Sequence, residues 1–555
     1  MNKEFSRLNV AGETYEVKDS KARKKLANLY FNNVSDMKNS NSLSVGDIVK
    51  TLGYYNVGDG GAALYTIRTK LTTDIEDNGS IHFIGNNLVA ELIVDKLSID
   101  QFGAKGDGVS DDSTCLMNAI KFAISKKVKL HIGSKTYYMA DVIELNNIEN
   151  MMYDFCFHIT GFNKIVSKIV FNKNLEYGFK YTGTELKNFI FENLSLETNK
   201  TDVTTSPSNI RMLHLENSPY SIFRNVNIRG CMYGIYQTNC WCSKYIEMNL
   251  YYCGYGIYVD GYEYTVGFGD NLLFEKINMG QQPVYSGIYL KGCVNVKMID
   301  LTAETSTKGN AITIDSCKNV LIDNFYTEFW LNQNPILIKA TDFTSLDRIP
   351  SGITINNINA YNTVALVRVE ACLSAEINNA FYRNRIYNEN IPAFEDYPLL
   401  ISFKEANSKY IGLVKVNGTN FIRPVGSGTL PAAFTEYNGL LKCGSGYNYY
   451  CRTFMQGTKI FNPADNILKT IIEDGTFSAN PTALISYAQN NFFGTLNQND
   501  ANLFVGQYVT IGSQKLRVIK IDGLTVYFDS RFNKNGADEA ITTCNPKFID
   551  EKITV

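Results

Sequence analysis

The chain has 555 residues, 45% of them hydrophobic and 19% charged, with a formal net charge of −2. This excludes a mini-protein and a disordered chain, and no apolar run approaches the roughly 18 to 20 residues of a bilayer span, so no membrane insertion is expected. The charge balance lacks the basic excess that meets a phosphate backbone, so nucleic acid is not an expected partner, and at about 150 residues each the length suggests three or four soluble domains.

From the N-terminus, Met1 to Ser20 contains no apolar core of a signal peptide, and synthesis in a cytoplasm is expected. The twelve cysteines are scattered from Cys115 to Cys544, and Cys240-Trp241-Cys242 is too tight for the usual zinc spacing, so reduced thiols are expected. Residues 17–29 are rich in Lys, Arg, Leu and Ala behind Ser20, which predicts a short capped helix whose basic face is either solvated or docks an acidic partner. Residues 31–94 read as a small β subdomain, with glycine-rich turning at Gly53 and at Gly58-Asp59-Gly60-Gly61.

Next comes Phe102-Gly103-Ala104-Lys105-Gly106-Asp107-Gly108-Val109-Ser110-Asp111-Asp112, followed by an apolar-periodic stretch through Leu116, Ile120 and Ala123. Glycines at 103, 106 and 108 permit turns with positive φ, and Asp111 or Asp112 can cap the helix. A calcium loop is the functional alternative, but the D-x-D-G core and the distal bidentate Glu are missing. No cofactor or metal is expected anywhere in the chain.

Residues 95–400 carry an internal repeat. Asn or Asp followed by an apolar residue recurs at Asn193-Leu194, Asn225-Val226, Asn249-Leu250, Asp300-Leu301, Asn324-Phe325, Asn357-Ile358 and Asn379-Ala380, with Lys276-Ile277 in the same series. A second unit runs in step: Gly234-Ile235-Tyr236, Gly256-Ile257-Tyr258, Gly287-Ile288-Tyr289, Ala311-Ile312-Thr313 and Pro335-Ile336-Leu337. Short strands at a period of roughly 24 residues with a fixed polar corner predict an all-β fold, a right-handed parallel β-helix whose coils stack about 4.8 Å apart. A corner Asn tolerates the left-handed bend and can bond the Asn of the next coil. Cys293 and Cys317 each follow a rung isoleucine by five residues and should stack as small apolar fillers. From 401 to 555 the period fades, and Tyr508 to Phe528 alternates with period two around Asp522-Gly523, which predicts a separate β-rich C-terminal domain.

The Phe102–Asp112 run closely resembles the opening motif of pectate-lyase-like β-helix proteins. Val45 to Tyr55 and Gly58 to Tyr65 look like the segment preceding that motif in bacteriophage tailspikes, and Tyr15-Glu16-Val17-Lys18-Asp19 with Ala22-Arg23 is similar to the virion-attachment end of receptor-binding proteins from phages of Gram-positive bacteria. The resemblance covers about residues 1 to 400. It implies a homotrimer in the virion tail, residues 1–30 fixed to tail or collar proteins, and a shaft that binds, and often cleaves, a host glycan such as capsule, exopolysaccharide or teichoic acid. The family's catalytic residues vary in position, so none is carried over. A bacterial polysaccharide lyase is the remaining alternative, disfavoured by the missing signal peptide.

Strand alternation supplies candidate residues independently. Counting from the corner, Glu304 and Glu328 face outward on consecutive rungs, and two carboxylates about 5 Å apart match the separation in retaining glycosidases. Trp330 follows as a platform for a sugar ring. The plain alternative is two solvated glutamates. On the other unit, Asp260, Lys291, Asp315 and Lys339 alternate in sign down one column, either as a charge ladder or with Asp260 and Asp315, two rungs or about 9.6 Å apart, as an inverting acid/base pair. Tyr236, Tyr258 and Tyr289 beside them would contact the glycan or strengthen the sheet. His158 and His214 read as structural histidines.

Overall fold

The computed structural model describes residues 7–10, 13–16, 29–146, 148, 157–202, 206–261, 269–280, 284–306, 308–330, 334–341, 348–361, 366–383, 399–401, 411–417, 420–422, 441–443, 450–454, 459–462, 467–473, 480–500, 503, 507–544 and 547–552. The helix expected over residues 17–29 lies outside them, apart from Leu29. Two units are distinguished, Met1–Asn199 with Phe223–Asn227, and Lys200–Ile222 with Ile228–Val555.

In the first unit, Tyr30–Phe31, Ile48–Thr51, Ala63–Thr69, Leu88–Ile93 and Ile81–Ile84 form a five-stranded sheet in that spatial order. Its glycine-rich turn is organised by one carboxylate: Asp59 accepts from the N–H groups of Tyr54, Tyr55, Asn56 and Gly61 at 2.7 to 3.0 Å. Gly103, Gly106 and Gly108 take φ of 84°, 62° and 76° as expected. Asp111 accepts from the Ser113 N–H at the start of helix Ser113–Lys126, while Asp112 turns back to the N–H groups of Lys105 and Gly106. Asp107 accepts from Val109 and Ser110. The acidic loop therefore spends its carboxylates on its own backbone. Buried Asp100 joins the turn to the motif, accepting from Lys135 Nζ and the Tyr137 hydroxyl while Lys135 also donates to the Asp59 carbonyl.

Parallel pairing begins beside this helix. Leu130–Ile132 pairs with Phe157–Gly161, which pairs with Phe189–Thr198. Phe157, Phe171, Phe179, Phe189 and Phe191 are fully buried between the sheets and meet edge to face at 5.3 to 5.9 Å. Aromatic edges and faces attract in that geometry, so these five rings contribute to the core.

The second unit contains two parallel sheets. One runs Ser208–Leu215, Cys231–Thr238, Tyr255–Asp260, Ser286–Lys291, Asn310–Asp315, Ile336–Lys339 and Val367–Val369. Its register puts Ile235, Ile257, Ile288, Ile312 and Ile336 in one column, each fully buried. The other is built on Val294–Ser306, Lys318–Trp330, Ser351–Tyr361 and Ser374–Asn378, again all parallel. Successive short strands alternating between stacked parallel sheets make the all-β fold a parallel β-helix, as the repeat predicted.

The corners follow the polar series with one correction. Asn193, Asn225, Lys276, Asp300, Asn324, Asn357 and Asn379 all have φ between 53° and 58°. In the coil between Asn225 and Lys276 the left-handed residue at this corner is Glu247, φ 56°, not Asn249, which lies two residues further on and pairs with Asn278. Met248 and Leu250 are both buried, so a polar residue followed by a buried apolar one occurs twice in this coil. Where the amides are missing, Lys276 and Glu247 form an ion pair at 3.7 Å. Elsewhere Asn225 donates to Asn193 at 2.8 Å and Asn324 to Asp300 at 2.6 Å. A second corner ladder, Asn319 to Asn295 to Asp270, was not anticipated.

The cysteines stack as expected: the Cys293 N–H points at Cys317 Sγ, and the Cys231 and Cys253 sulfurs lie 3.6 Å apart. Parallel pairing does not stop at residue 400. Leu399–Ile401 pairs with Val367–Val369 and with Leu441–Cys443, and Ile411–Asn417 pairs with Ser374–Asn378 and with Tyr450–Phe454. The sequence between partners lengthens there, which hides the period. Beyond it, Leu484–Tyr487, Phe493–Leu496, Tyr508–Ile511, Gln514–Asp522, Thr525–Phe528 and Gly536–Thr543 close a six-stranded antiparallel barrel with Gly523 at the expected turn. Ile485, Leu496, Val509, Val518, Val526 and Phe528 form its core.

Candidate functional site

Parallel in-register pairing turns each sheet position into a column, and two columns carry chemistry. In the first sheet, Tyr236, Tyr258 and Tyr289 pair in register and stack with centroids 5.4 and 4.8 Å apart, their planes nearly parallel. His214 stacks below Tyr236 at 4.7 Å, and Lys339 Nζ sits 5.2 Å over Tyr289. Tyr233, Tyr255 and Tyr285 form a second stack that meets the first edge to face. Each ring face in the Tyr236–Tyr289 column is thereby covered. Burial pushes the Tyr255 phenol up to about 12, with the neighbouring tyrosines adding to it. Burial, and then Asp315, raise Tyr289 further.

The charged column beside it is ion-paired. Asp260 accepts from Lys291 Nζ at 2.7 Å. Asp315 points to the outer side of its strand, as alternation requires, yet it is fully buried. The Tyr289 hydroxyl donates to it at 2.6 Å, Ser316 at 3.0 Å, and Thr341 through both backbone N–H and hydroxyl, with Lys339 Nζ at 3.6 Å. Alternation gives the side of the sheet, and the turn carrying Thr341 then covers it. The expectation of an exposed Asp315 is corrected accordingly: a carboxylate holding this many donors is a structural counter-charge, with little capacity left for a substrate.

In the second sheet, Glu304 and Glu328 are direct register partners, Glu304 exposed and Glu328 half-buried. The sheet spacing alone sets their backbones about 4.8 Å apart. Tyr326, on the same side of the same strand, donates to Glu328 Oε2 at 2.5 Å, and this bond raises its phenol to about 12. On the rung before Glu304 stands Gly280, where a Cβ would come within 2.5 Å of the Tyr251 ring. The glycine thus lets Tyr251 lean over the rung toward Glu304, and its phenol is raised by burial and by that carboxylate. Tyr361 follows Glu328 in the same column. Trp330 occupies the strand end as a partner of Ser306, and its side chain lies outside the described residues.

Chemically, two carboxylates on adjacent rungs, one of them held by a phenol, can divide the work of an acid and a base or nucleophile. Tyr251, Tyr326 and Tyr361 escaped the sequence reading because they lie outside the Gly-Ile-Tyr unit. Tyr251 and Tyr361 lie four residues after the corners at 247 and 357, as Glu304 and Glu328 lie after 300 and 324, whereas Tyr326 lies two after 324. His158 and His214 are each bonded to a carboxylate, Glu192 at 2.8 Å and Glu216 at 2.9 Å.

No protein-family model matches the chain, and no curated protein does. Among solved structures, the chain is similar to the tailspike protein of Acinetobacter baumannii phage AM24, at 12% identity and TM-score 0.46 over 96% of this chain and 86% of that one. It is similar as well to the A-module of the Azotobacter vinelandii mannuronan C-5 epimerase AlgE4, at 15% identity and TM-score 0.45 over 66% and 95% of the two chains. The tailspike of Acinetobacter phage vB_ApiP_P1 gives 14% identity and TM-score 0.42 over 93% and 95%. These likenesses are of fold.

Proposed function

We propose that the chain is a tailspike-type virion appendage that attaches to a host cell-surface glycan (teichoic acid, capsule or exopolysaccharide) and depolymerises it. In this reading it is a homotrimer in the virion tail, held to tail or collar proteins through residues 1–30. The observation that carries the reading is the Glu304–Glu328 pair in register on an outward column flanked by Tyr251, Tyr326 and Tyr361. Glu304, exposed and free of that phenol, donates a proton to the glycosidic oxygen as the acid. Glu328, held in place by the Tyr326 hydroxyl, acts as base or nucleophile. The tyrosines contribute edges and hydroxyls along the polymer, and Trp330 extends the surface. Host wall polymer immobilised on beads should retain the purified chain, and periodate oxidation of the polymer should abolish retention. Equal retention by oxidised polymer would contradict glycan recognition.

A second reading, a glycan-binding adhesin of the virion without turnover, is favoured by the other column, where Asp260 and Asp315 are committed to Lys291, Lys339 and Tyr289. As an inverting pair they would each have to give up an ion pair. Release of reducing ends, unsaturated sugars or phosphate from the polymer separates the two readings.

A further inference from the structure

The C-terminal barrel closes its apolar core on inward residues alone, yet it keeps large aromatics on its outer wall. Phe492 and Phe493 are 43% and 42% exposed, and Leu524 is 40% exposed. Phe493 pairs across the ladder with half-buried Tyr527, ring centroids 5.7 Å apart. The next pair on this face is Thr495 with Thr525, so hydroxyls border the rings. Lys520 Nζ lies 5.1 Å over Tyr527 and is shared with Asp522. The exposed Arg531 guanidinium lies 4.7 Å over Phe492 and makes no ion pair among the described residues.

Three rings fall far short of the roughly 800 Å² per partner that a stable protein interface buries, and they match the apolar face of one or two sugar rings. An exposed cation without a counter-ion among the described residues, fixed on the ring of the residue that precedes Phe493 in the chain, favours a negatively charged occupant. We propose that this face of the barrel is a separate binding site for an anionic saccharide. Phe493 and Tyr527 take the sugar ring, and Arg531 takes its phosphate or carboxylate. The site is independent of the β-helix proposal and requires no catalysis.

Binding of the full chain to poly(glycerol phosphate), to alginate and to neutral dextran tests it by interferometry. The chain should bind one or both anionic polymers and not dextran, and the polymer bound tells phosphate from carboxylate. Arg531→Gln, and separately Phe493→Ala with Tyr527→Ala, should each weaken that binding about tenfold, with thermal unfolding unchanged. Equal binding of dextran, no binding of either anionic polymer, or undiminished binding by the barrel variants would overturn the assignment. So would a fall in oligomer mass of the Phe493/Tyr527 variant by sedimentation, since the face would then belong to a second copy.

Discussion

Tyr326 donates its phenolic hydrogen to Glu328 at 2.5 Å, on the rung directly after Glu304. This bond pushes the phenol up to about 12, because ionising it would place a second negative charge there. Glu328→Gln should therefore return one tyrosine toward the ordinary value of about 10. A difference titration at 295 nm between the parent and variant chains reads this directly despite the other tyrosines. Identical titrations would mean that the bond is absent in solution.

Asp315 should matter for stability more than for turnover. Asp315→Asn removes the charge that Lys339 faces and turns one acceptor into a donor opposite Tyr289 or Thr341. A cost of about 2 to 4 kcal/mol is expected from chemical denaturation, with polymer binding intact in the folded fraction. Unchanged stability with lost turnover would instead make Asp315 part of the reaction.

The corner ladder separates backbone strain from hydrogen bonding at one site. Asn324 has φ 57° and donates to Asp300. Asn324→Ala should cost about 2 kcal/mol, since it loses the bond and puts in the left-handed region a residue without the polar side chain that lets Asn tolerate it. Asn324→Gly should cost about half as much, because only the bond is lost. Equal losses would show that the bend is not what selects Asn here.

The N-terminal sheet should be acid-sensitive. His82 is buried between Tyr65 and Glu76, and burial, reinforced by Lys38, lowers it to about 4. The unfolded chain binds this proton near 6.5, so the contribution is complete above 6.5 and is lost as pH falls toward 4. At full extent this is roughly 3 kcal/mol. Hydrogen exchange in Ala63–Thr69 and Leu88–Ile93 should accelerate over that window in the parent and much less in His82→Gln. A flat pH response in the parent would contradict the assignment.

What was legible in the sequence was whatever repeats. The Ile235–Ile336 rung, the Tyr236–Tyr289 column and the Glu304–Glu328 register all follow from period and alternation, which one-dimensional spacing preserves. The corner at Glu247 escapes the Asn/Asp pattern, which points to Asn249, because a left-handed corner normally selects Asn or Asp and an ion pair with Lys276 stabilises Glu247 instead. Burial of Asp315 was invisible because it depends on Thr341, reached only after the chain turns. Tyr251 leans toward Glu304 because residue 280 is glycine, a relation between coils that no single coil encodes. Pairing beyond 400 was hidden by the longer sequence between register partners.

The central claim is that the Glu304–Glu328 column cleaves a surface glycan. Purified chain incubated with host wall or capsular polymer should release reducing ends over hours. Glu304→Gln, Glu328→Gln should bind the same polymer with unchanged affinity and release none. Full release by the double variant would contradict the site, and no release by the parent chain would leave an adhesin in place of an enzyme.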